Sequence, residues 1–404
     1  MKHGERARGS LIAALDIGSS KLCCFLARVE ATGPRIIGIG HQVSRGVRGG
    51  LIVDLEAASQ AILNTVHAAE EMAGETISEV VVNLSGGFAP SRIVKAEIAT
   101  NGREISNADM RRVLNQGYQL KESADREVIH SIPVGFSIDD SRGIRDPRGM
   151  FGQRLGVNMN IVAGMSGAVR NLATCIARCH LDISALVPDE TGLGVTVLDM
   201  CGGTTGIAVF FEGNLVFTDS VPVGGIHVTN DIARGLSTPV VHAERMKTLH
   251  GNTIASPADE RETITVPQVG EEEDGEVTHV PKSLLVGIIA PRIEETFELV
   301  RNSLEASGFD KVAGRRVVLT GGAAQLPRMR ELAGLILDKQ VRVGKPLRIS
   351  GLAEATGGPA FATSAGLVQF ALSERAETLR QGPALAEEPS GLFGRFGVWI
   401  REHI

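Results

Sequence analysis

The stretch "LDMCGGTTGIAVFFEGNLVF", Leu198–Phe217, decides the reading of this chain. An apolar strand ends on Asp199, turns through Gly-Gly-Thr-Thr and becomes apolar again from Ile207. A tight turn needs only one glycine. Two in succession leave neighbouring backbone amides without side chains in the way, and such a concavity binds phosphate. Thr204 and Thr205 add hydroxyl donors at the same place. The acid then has a purpose, because Mg2+ keeps several waters that carboxylates commonly hold.

The pattern occurs twice. "AALDIGSSKLCCFLARVE", Ala13–Glu30, also runs strand, acid, small-residue turn and strand. Asp199 follows Asp16 by 183 positions, far beyond any solenoid period, so the repeat predicts two similar half-proteins. Two such hairpins facing each other across a cleft would clamp a polyphosphate, with Asp16 and Asp199 reaching the metal through water. A third turn, "RRVVLTGGAAQLPRMRELAG" (Arg315–Gly334), reads as strand, Gly-Gly-Ala and helix, with Pro327 in the first helical turn.

The bulk properties agree with this reading. A chain of 404 residues suits two to four packed subdomains. With 43% hydrophobic and 22% charged residues it has an ordinary globular balance, and 48 glycines suit an α/β protein rich in strand-to-helix turns. The net charge of −6 argues against a nucleic-acid protein, which concentrates a basic face. The apolar run after "MKHGERARGS" is broken at Asp16, so neither a signal peptide nor an anchor is expected there. No apolar run approaches the roughly 18 residues of a membrane span. Five cysteines, an odd number without framework spacing, read as reduced thiols. Cys175, Cys179 and His180 fall at helical spacing in "AVRNLATCIARCH" and read as a buried helix face rather than half a metal site.

Between the halves, 80–162 reads as an inserted module, with a helix in "SNADMRRVLNQGYQL" capped by Ser106 or Asn107. The acidic stretch 257–281 reads as an exposed loop, and 373–389 as a flexible tether. The final segment "GLFGRFGVWIREHI" places Leu392, Phe393, Phe396, Trp399, Ile400 and Ile404 on one helical face. At about 100° per residue that face is about 140° wide. A helix of this kind after a polar linker reads as an interfacial membrane anchor, the alternative being a C-terminal helix that docks on its own domain.

The order of first phosphate hairpin, second phosphate hairpin and adenosine turn is that of the actin, heat-shock-70 and sugar-kinase ATPases. Within them the chain resembles the bacterial cell-division FtsA family over nearly its whole length. "LIAALDIGSSKLCC" resembles that family's first phosphate loop, "VVLTGGAAQLPRM" its adenosine motif and "PAFATSAGLVQFAL" its closing helix. "REVIHSIPVGFSIDDSRGIRDPRGMFGQRLGVNMNIV" is similar to the end of its extra subdomain, 1C. The resemblance implies an α/β actin-like fold of two lobes, each with a ribonuclease-H-like mixed sheet. It divides the chain into lobe 1 core (1–79 and 163–188), the 1C-type insert (80–162), lobe 2 core (189–227 and 313–372), subdomain 2B (228–312), linker (373–389) and membrane helix (390–404).

It further implies ATP with Mg2+ between the lobes. Gly18, Ser19, Ser20 and Lys21 would meet the phosphates, as would Gly202, Gly203, Thr204 and Thr205. Gly321, Gly322 and Ala323 would lie along the adenosine, and Glu244 and Lys247 would flank ribose and base, with Asn230 and Asp231 nearby. The implied partners are the FtsZ C-terminal tail at subdomain 2B, further copies of the chain in a filament, other division proteins and an anionic inner-membrane surface at the septum.

Three departures stand out. Cys201 takes the place of the second loop's usual first glycine and Gly206 that of a common aspartate. Ala323 replaces a frequent glycine. The connection from Leu181 to Thr196 is short by a helix-length segment and leaves only Asp189 or Glu190 near the place of a general base, so weak or absent hydrolysis is expected. Two other functions are weighed. A small-molecule kinase would need a catalytic acid in the insert, where Asp125, Asp139 and Asp140 fit no pocket motif. A kinase would also have no use for the terminal helix, and pilus-assembly relatives lack a lipid helix of this kind.

Overall fold

The computed structural model describes residues 9–372, apart from 86–89, 120–124, 189–194, 212–213, 268–277 and 311–313. Lobe 1 opens with three antiparallel strands, β1 (Leu11–Ile17), β2 (Lys21–Glu30) and β3 (Gly33–Val43). A short ladder of β4 (Val47–Arg48) and β5 (Leu51–Ile52) leads to α1 (Leu55–Ala73), capped by the Asp54 carboxylate at the Ala57 amide. β6 (Glu79–Leu84) then joins β1 in parallel.

The inserted module follows as β7 (Ser91–Ala99), α2 (Asn107–Tyr118), β8 (Arg126–Ile138), β9 (Ser141–Ile144) and β10 (Arg154–Met165), in sheet order β7-β10-β8-β9. Ser106 is the N-cap of α2, and it shares a capping box with Asp109. The chain returns to lobe 1 through α3 (Ser166–Arg178) and β11 (Asp182–Pro188), which pairs in parallel with β6.

Lobe 2 repeats the plan. β12 (Thr196–Met200), β13 (Thr205–Phe211) and β14 (Asn214–Val221) are antiparallel. After them come α4 (Gly225–Gly235), α5 (Val240–His250), a ribbon of β15 (Thr263–Val266) and β16 (Thr278–Pro281), and the long α6 (Lys282–Ser307). β17 (Arg316–Thr320), α7 (Met329–Leu337), β18 (Gln340–Val343) and α8 (Ala362–Leu372) complete the described chain.

The sheet orders are β3-β2-β1-β6-β11 and β14-β13-β12-β17-β18, the same topology twice. Even the hairpin registers match, with Asp16 opposite Cys23 and Asp199 opposite Gly206. Both faces of the lobe 1 sheet are covered, so β1 and β2 are apolar at nearly every position rather than at alternate ones. Leu15, Leu22 and Leu26 pack under α1 and α3, while Ile12, Ala14 and Phe25 pack under α8. In lobe 2, Leu198, Ile207 and Val209 face α6 and α7. On the other side of that sheet, Val197, Ala208, Phe210, Leu215 and Val318 are covered in part by Ile132 of the inserted module. The buried Asn160 amide of β10 donates to the Leu215 carbonyl at 2.9 Å, and the Thr218 amide of β14 donates to Ser91 Oγ at 2.7 Å. The module is thus inserted in lobe 1 and docked on lobe 2.

Four boundaries differ from the sequence reading. α8, expected in the lobe 2 core (313–372), packs on the lobe 1 sheet, because its Ala365, Leu367 and Val368 cover Ile12, Ala14 and Phe25. Val80–Leu84 belong to β6 in the lobe 1 sheet, not to the module, because their apolar side chains are wanted beside β1. The expected loop 257–281 contains the β15–β16 ribbon, whose Ile264 and Val266 are buried. Pro327 precedes α7 instead of lying in its first turn, because a short 3₁₀ turn over Ala323–Gln325 comes first.

Candidate nucleotide site

The two hairpin turns meet face to face. A Cβ added at Gly203 would lie 2.4 Å from Ser19 Oγ and 2.8 Å from Ser19 Cβ, and one added at Gly202 would lie 2.8 Å from Ser20 Cβ. Among the described residues, the amides of Ser19, Ser20, Gly202 and Gly203 donate to no backbone carbonyl. These glycines therefore serve the close approach of the lobes as well as leaving amides for an anion. Gly18 closes the first turn by donating to the Lys21 carbonyl at 3.0 Å, and Ser19 Oγ accepts from the Gly50 amide at 2.8 Å.

The third turn joins them. Gly321, at φ +85°, places its Cα where a Cβ would sit 2.4 Å from Asp199 Oδ1. A Cβ at Gly225 would lie 3.3 Å from the Ala323 Cβ and 3.7 Å from Lys247 Nζ. Lys247 Nζ donates to Glu244 at 2.6 Å, to Thr229 Oγ1 at 2.8 Å and to the Gly225 carbonyl at 3.1 Å. Glu244 also accepts from the Thr229 hydroxyl at 2.5 Å. Gly321, Ala323, Glu244 and Lys247 thus line one region beside the second hairpin, and Gly322 lies between the two turn residues.

Other expected residues have local partners. Thr205 donates to the Val223 carbonyl at 2.8 Å, while Thr204 is buried in the turn. Asp231 pairs with Arg292 of α6 at 2.5 Å, and Asn230 lies half-buried before it on α4. Lys21 Nζ donates to the Ala360 carbonyl and sits 3.7 Å above the Phe361 ring. Asp139, weighed as a kinase acid, accepts the Gln153 and Arg154 amides inside the module. Asp189, Glu190 and all six residues of the expected membrane face lie outside the described residues.

Both acids are buried, Asp16 at 6% and Asp199 at 2% exposure. Asp16 accepts from Asn83 Nδ2 at 3.0 Å and from Ser364 Oγ at 3.1 Å. Asp199 Oδ2 accepts from Thr363 Oγ1 at 2.8 Å. Its Oδ1 is buried without a conventional partner, with the Cys201 thiol nearby as a weak donor. Burial pushes Asp199 up to about 6, helped by the charge of Asp16 and opposed by the Thr363 hydrogen bond. Burial likewise raises Asp16, against the pull of Lys21. An acid with an unmatched buried oxygen, beside an ammonium and facing amides, fits the water shell of a divalent cation on a polyphosphate.

Sequence reasoning missed Asn83, Thr229, Phe361, Thr363 and Ser364. For all but Thr229, which sits midway along α4, the only signal was position at or near the end of an element that borders the three turns. Cys175 and Cys179 lie buried between α3 and α1, whereas His180, expected on the same face, follows the end of α3 and is exposed; no cluster of metal-binding side chains occurs among the described residues.

Two lobes of one topology, with facing hairpins at matched strand ends and a third turn beside them, define an actin-like protein. Solved structures share the fold. The PilM-PilN type IV pilus biogenesis complex matches with TM-score 0.61 at 16% identity, covering 90% of this chain and 99% of that one. MreB 5 of Spiroplasma citri bound to AMPPNP matches with TM-score 0.51 at 11% identity, covering 92% and 99%. At such identities they bear on the fold alone.

The chain belongs to the FtsA family of cell division proteins. The family described as Cell division protein FtsA matches residues 196–366, and the SHS2 domain inserted in FTSA matches residues 86–163. Cell division protein FtsA of Rhizobium meliloti (strain 1021) is 43% identical over 420 residues, covering 98% of this chain and 95% of the relative. That of Pseudomonas aeruginosa is 34% identical over 382 residues, covering 91% of each. The Rhizobium alignment of 420 positions exceeds the 404 residues here by 16, so at least that many of its positions have no counterpart in this chain.

Proposed function

We propose that this FtsA-family chain binds ATP with Mg2+ between its lobes, assembles into filaments on the cytoplasmic face of the inner membrane, and tethers the FtsZ ring there while recruiting other division proteins. The observation that carries the reading is the meeting of both hairpins, the third turn and two buried acids in one cleft. Bare amides at Ser19, Ser20, Gly202 and Gly203 would hold the phosphates. Asp16 and Asp199 would hold the water shell of the cation, and Lys247 and Glu244 would border the nucleoside. When bound, the nucleotide supplies a charged tie between the lobes. Subdomain 2B is the proposed seat of the FtsZ tail, and the face formed by Leu392, Phe393, Phe396, Trp399, Ile400 and Ile404 is the proposed membrane contact.

The reading gives the site a binding role before a catalytic one. The short connection before Thr196 brings in no base other than Asp189 or Glu190, so turnover is expected to be slow or absent. A fluorescent-ATP titration tests the core of the proposal. Gly203→Val would drive a branched side chain into Ser19, so its affinity should fall by about tenfold or more, which is about 1.4 kcal/mol or more. Equal affinity in wild type and variant would reject the phosphate-loop assignment.

A further inference from the structure

The segment just before and at the start of α8 touches Lys21, Asp16 and Asp199, the charged groups at the two hairpins. The Pro359 carbonyl accepts from the Gly321 amide at 3.1 Å and lies 3.3 Å from the Thr320 hydroxyl. The Ala360 carbonyl and the Phe361 ring hold Lys21. Thr363 then bonds the acid of lobe 2, and its neighbour Ser364 bonds the acid of lobe 1. Two adjacent hydroxyls on one helix thus hold two carboxylates that belong to different sheets. We propose that Thr363 and Ser364 are positioning residues that aim Asp199 and Asp16 at the cation of the bound nucleotide. The proposal rests on the nucleotide reading above and goes beyond it by naming what orients the acids.

The physical case is geometric. A buried carboxylate has two oxygens, and a fixed donor to one determines where the other points. At Asp199 the hydroxyl of Thr363 takes Oδ2, which leaves Oδ1 as the oxygen without a conventional partner, beside Gly321. At Asp16 the oxygens are divided between Asn83 and Ser364. Thr363 and Ser364 lie in the first turn of α8, where the helix presents its positive end to anionic groups. Because α8 packs on the lobe 1 sheet, the orientation of the lobe 2 acid is fixed by an element of the opposite lobe. The paired geometry therefore exists only while the lobes are together.

Binding of a fluorescent ATP analogue to the full chain, in MgCl2 and in EDTA, tests this. Thr363→Val keeps the shape and removes the donor; Ser364→Ala does so at the other acid. The expected result is that each variant loses about tenfold of the Mg2+-dependent gain in affinity, keeps wild-type affinity in EDTA, and that Thr363→Ser restores the gain. A structural role alone would weaken binding equally in both media, and that outcome overturns the inference, as does an unchanged Mg2+ gain or a Thr363→Ser variant that behaves like Thr363→Val. If Thr363→Val does not fold, Ser364→Ala and Thr363→Ser decide by the same criteria. Wild-type chain that binds no analogue in either medium overturns the nucleotide reading itself, whereas wild-type binding with unaffected variants overturns only the role of the hydroxyls.

Discussion

Lys247 shows how much one side chain can carry in this cleft. Its side chain is mostly buried, at 12% exposure, and its ammonium joins α5 to α4 through Thr229 and the Gly225 carbonyl while pairing with Glu244 on its own helix. An exposed pair of this spacing would contribute only about 0.2–0.5 kcal/mol. Here removal of the cation would break three charge-assisted hydrogen bonds at once. Lys247→Met should therefore lose about 1–3 kcal/mol of stability in urea unfolding, even without nucleotide. Its spacing to Glu244 was legible in the sequence, but the two further partners were not, because they come from a different helix. Asp231 is a similar case. It reads as a residue near the pocket, yet Arg292, 61 positions further on, holds it in an ion pair. Short-range pattern cannot reveal a partner chosen by tertiary packing.

At the scale of elements, α2 depends on its first turn. Asp109 closes the capping box with Ser106 and also receives both arms of Arg103, at 2.5 and 2.8 Å. Arg103, and then Ser106, hold the Asp109 carboxyl well below the usual carboxylate range. Its folded-state value is thus lower than its unfolded one, so its stabilisation is complete above pH about 4 and is lost as the pH falls through the depressed value. Asp109→Asn should melt below wild type at neutral pH, and thermal melts should show the gap narrowing under pH about 4. The strands and caps of such elements were readable because period and end signals are local. Both hairpins were found in this way, since acid, small-residue turn and apolar strand recur in one order. The module boundary was not, because Val80–Val82 would look the same in either sheet. Thr363 and Ser364 were missed for a related reason: hydroxyls at a helix start read as caps for that helix, and these instead reach carboxylates 164 and 348 positions away in sequence.

For the whole molecule, the decisive question is where it sits. Among the described residues no helix is long and apolar enough to cross a membrane. The proposed lipid contact is the apolar face of residues 390–404. Removing residues 390–404 should abolish co-sedimentation with anionic vesicles, and pelleting at the wild-type level would refute the anchor. The position of α8 has a consequence for how the chain is made. Phe25, Ile12 and Ala14 are translated near the start, yet their cover, Ala365, Leu367 and Val368, is among the last of the described residues to leave the ribosome. At about 5–20 residues per second, the nascent first lobe waits tens of seconds with one side of its sheet bare. Its completion then coincides with emergence of the terminal segment, so the proposed bilayer contact becomes available only as the older half closes.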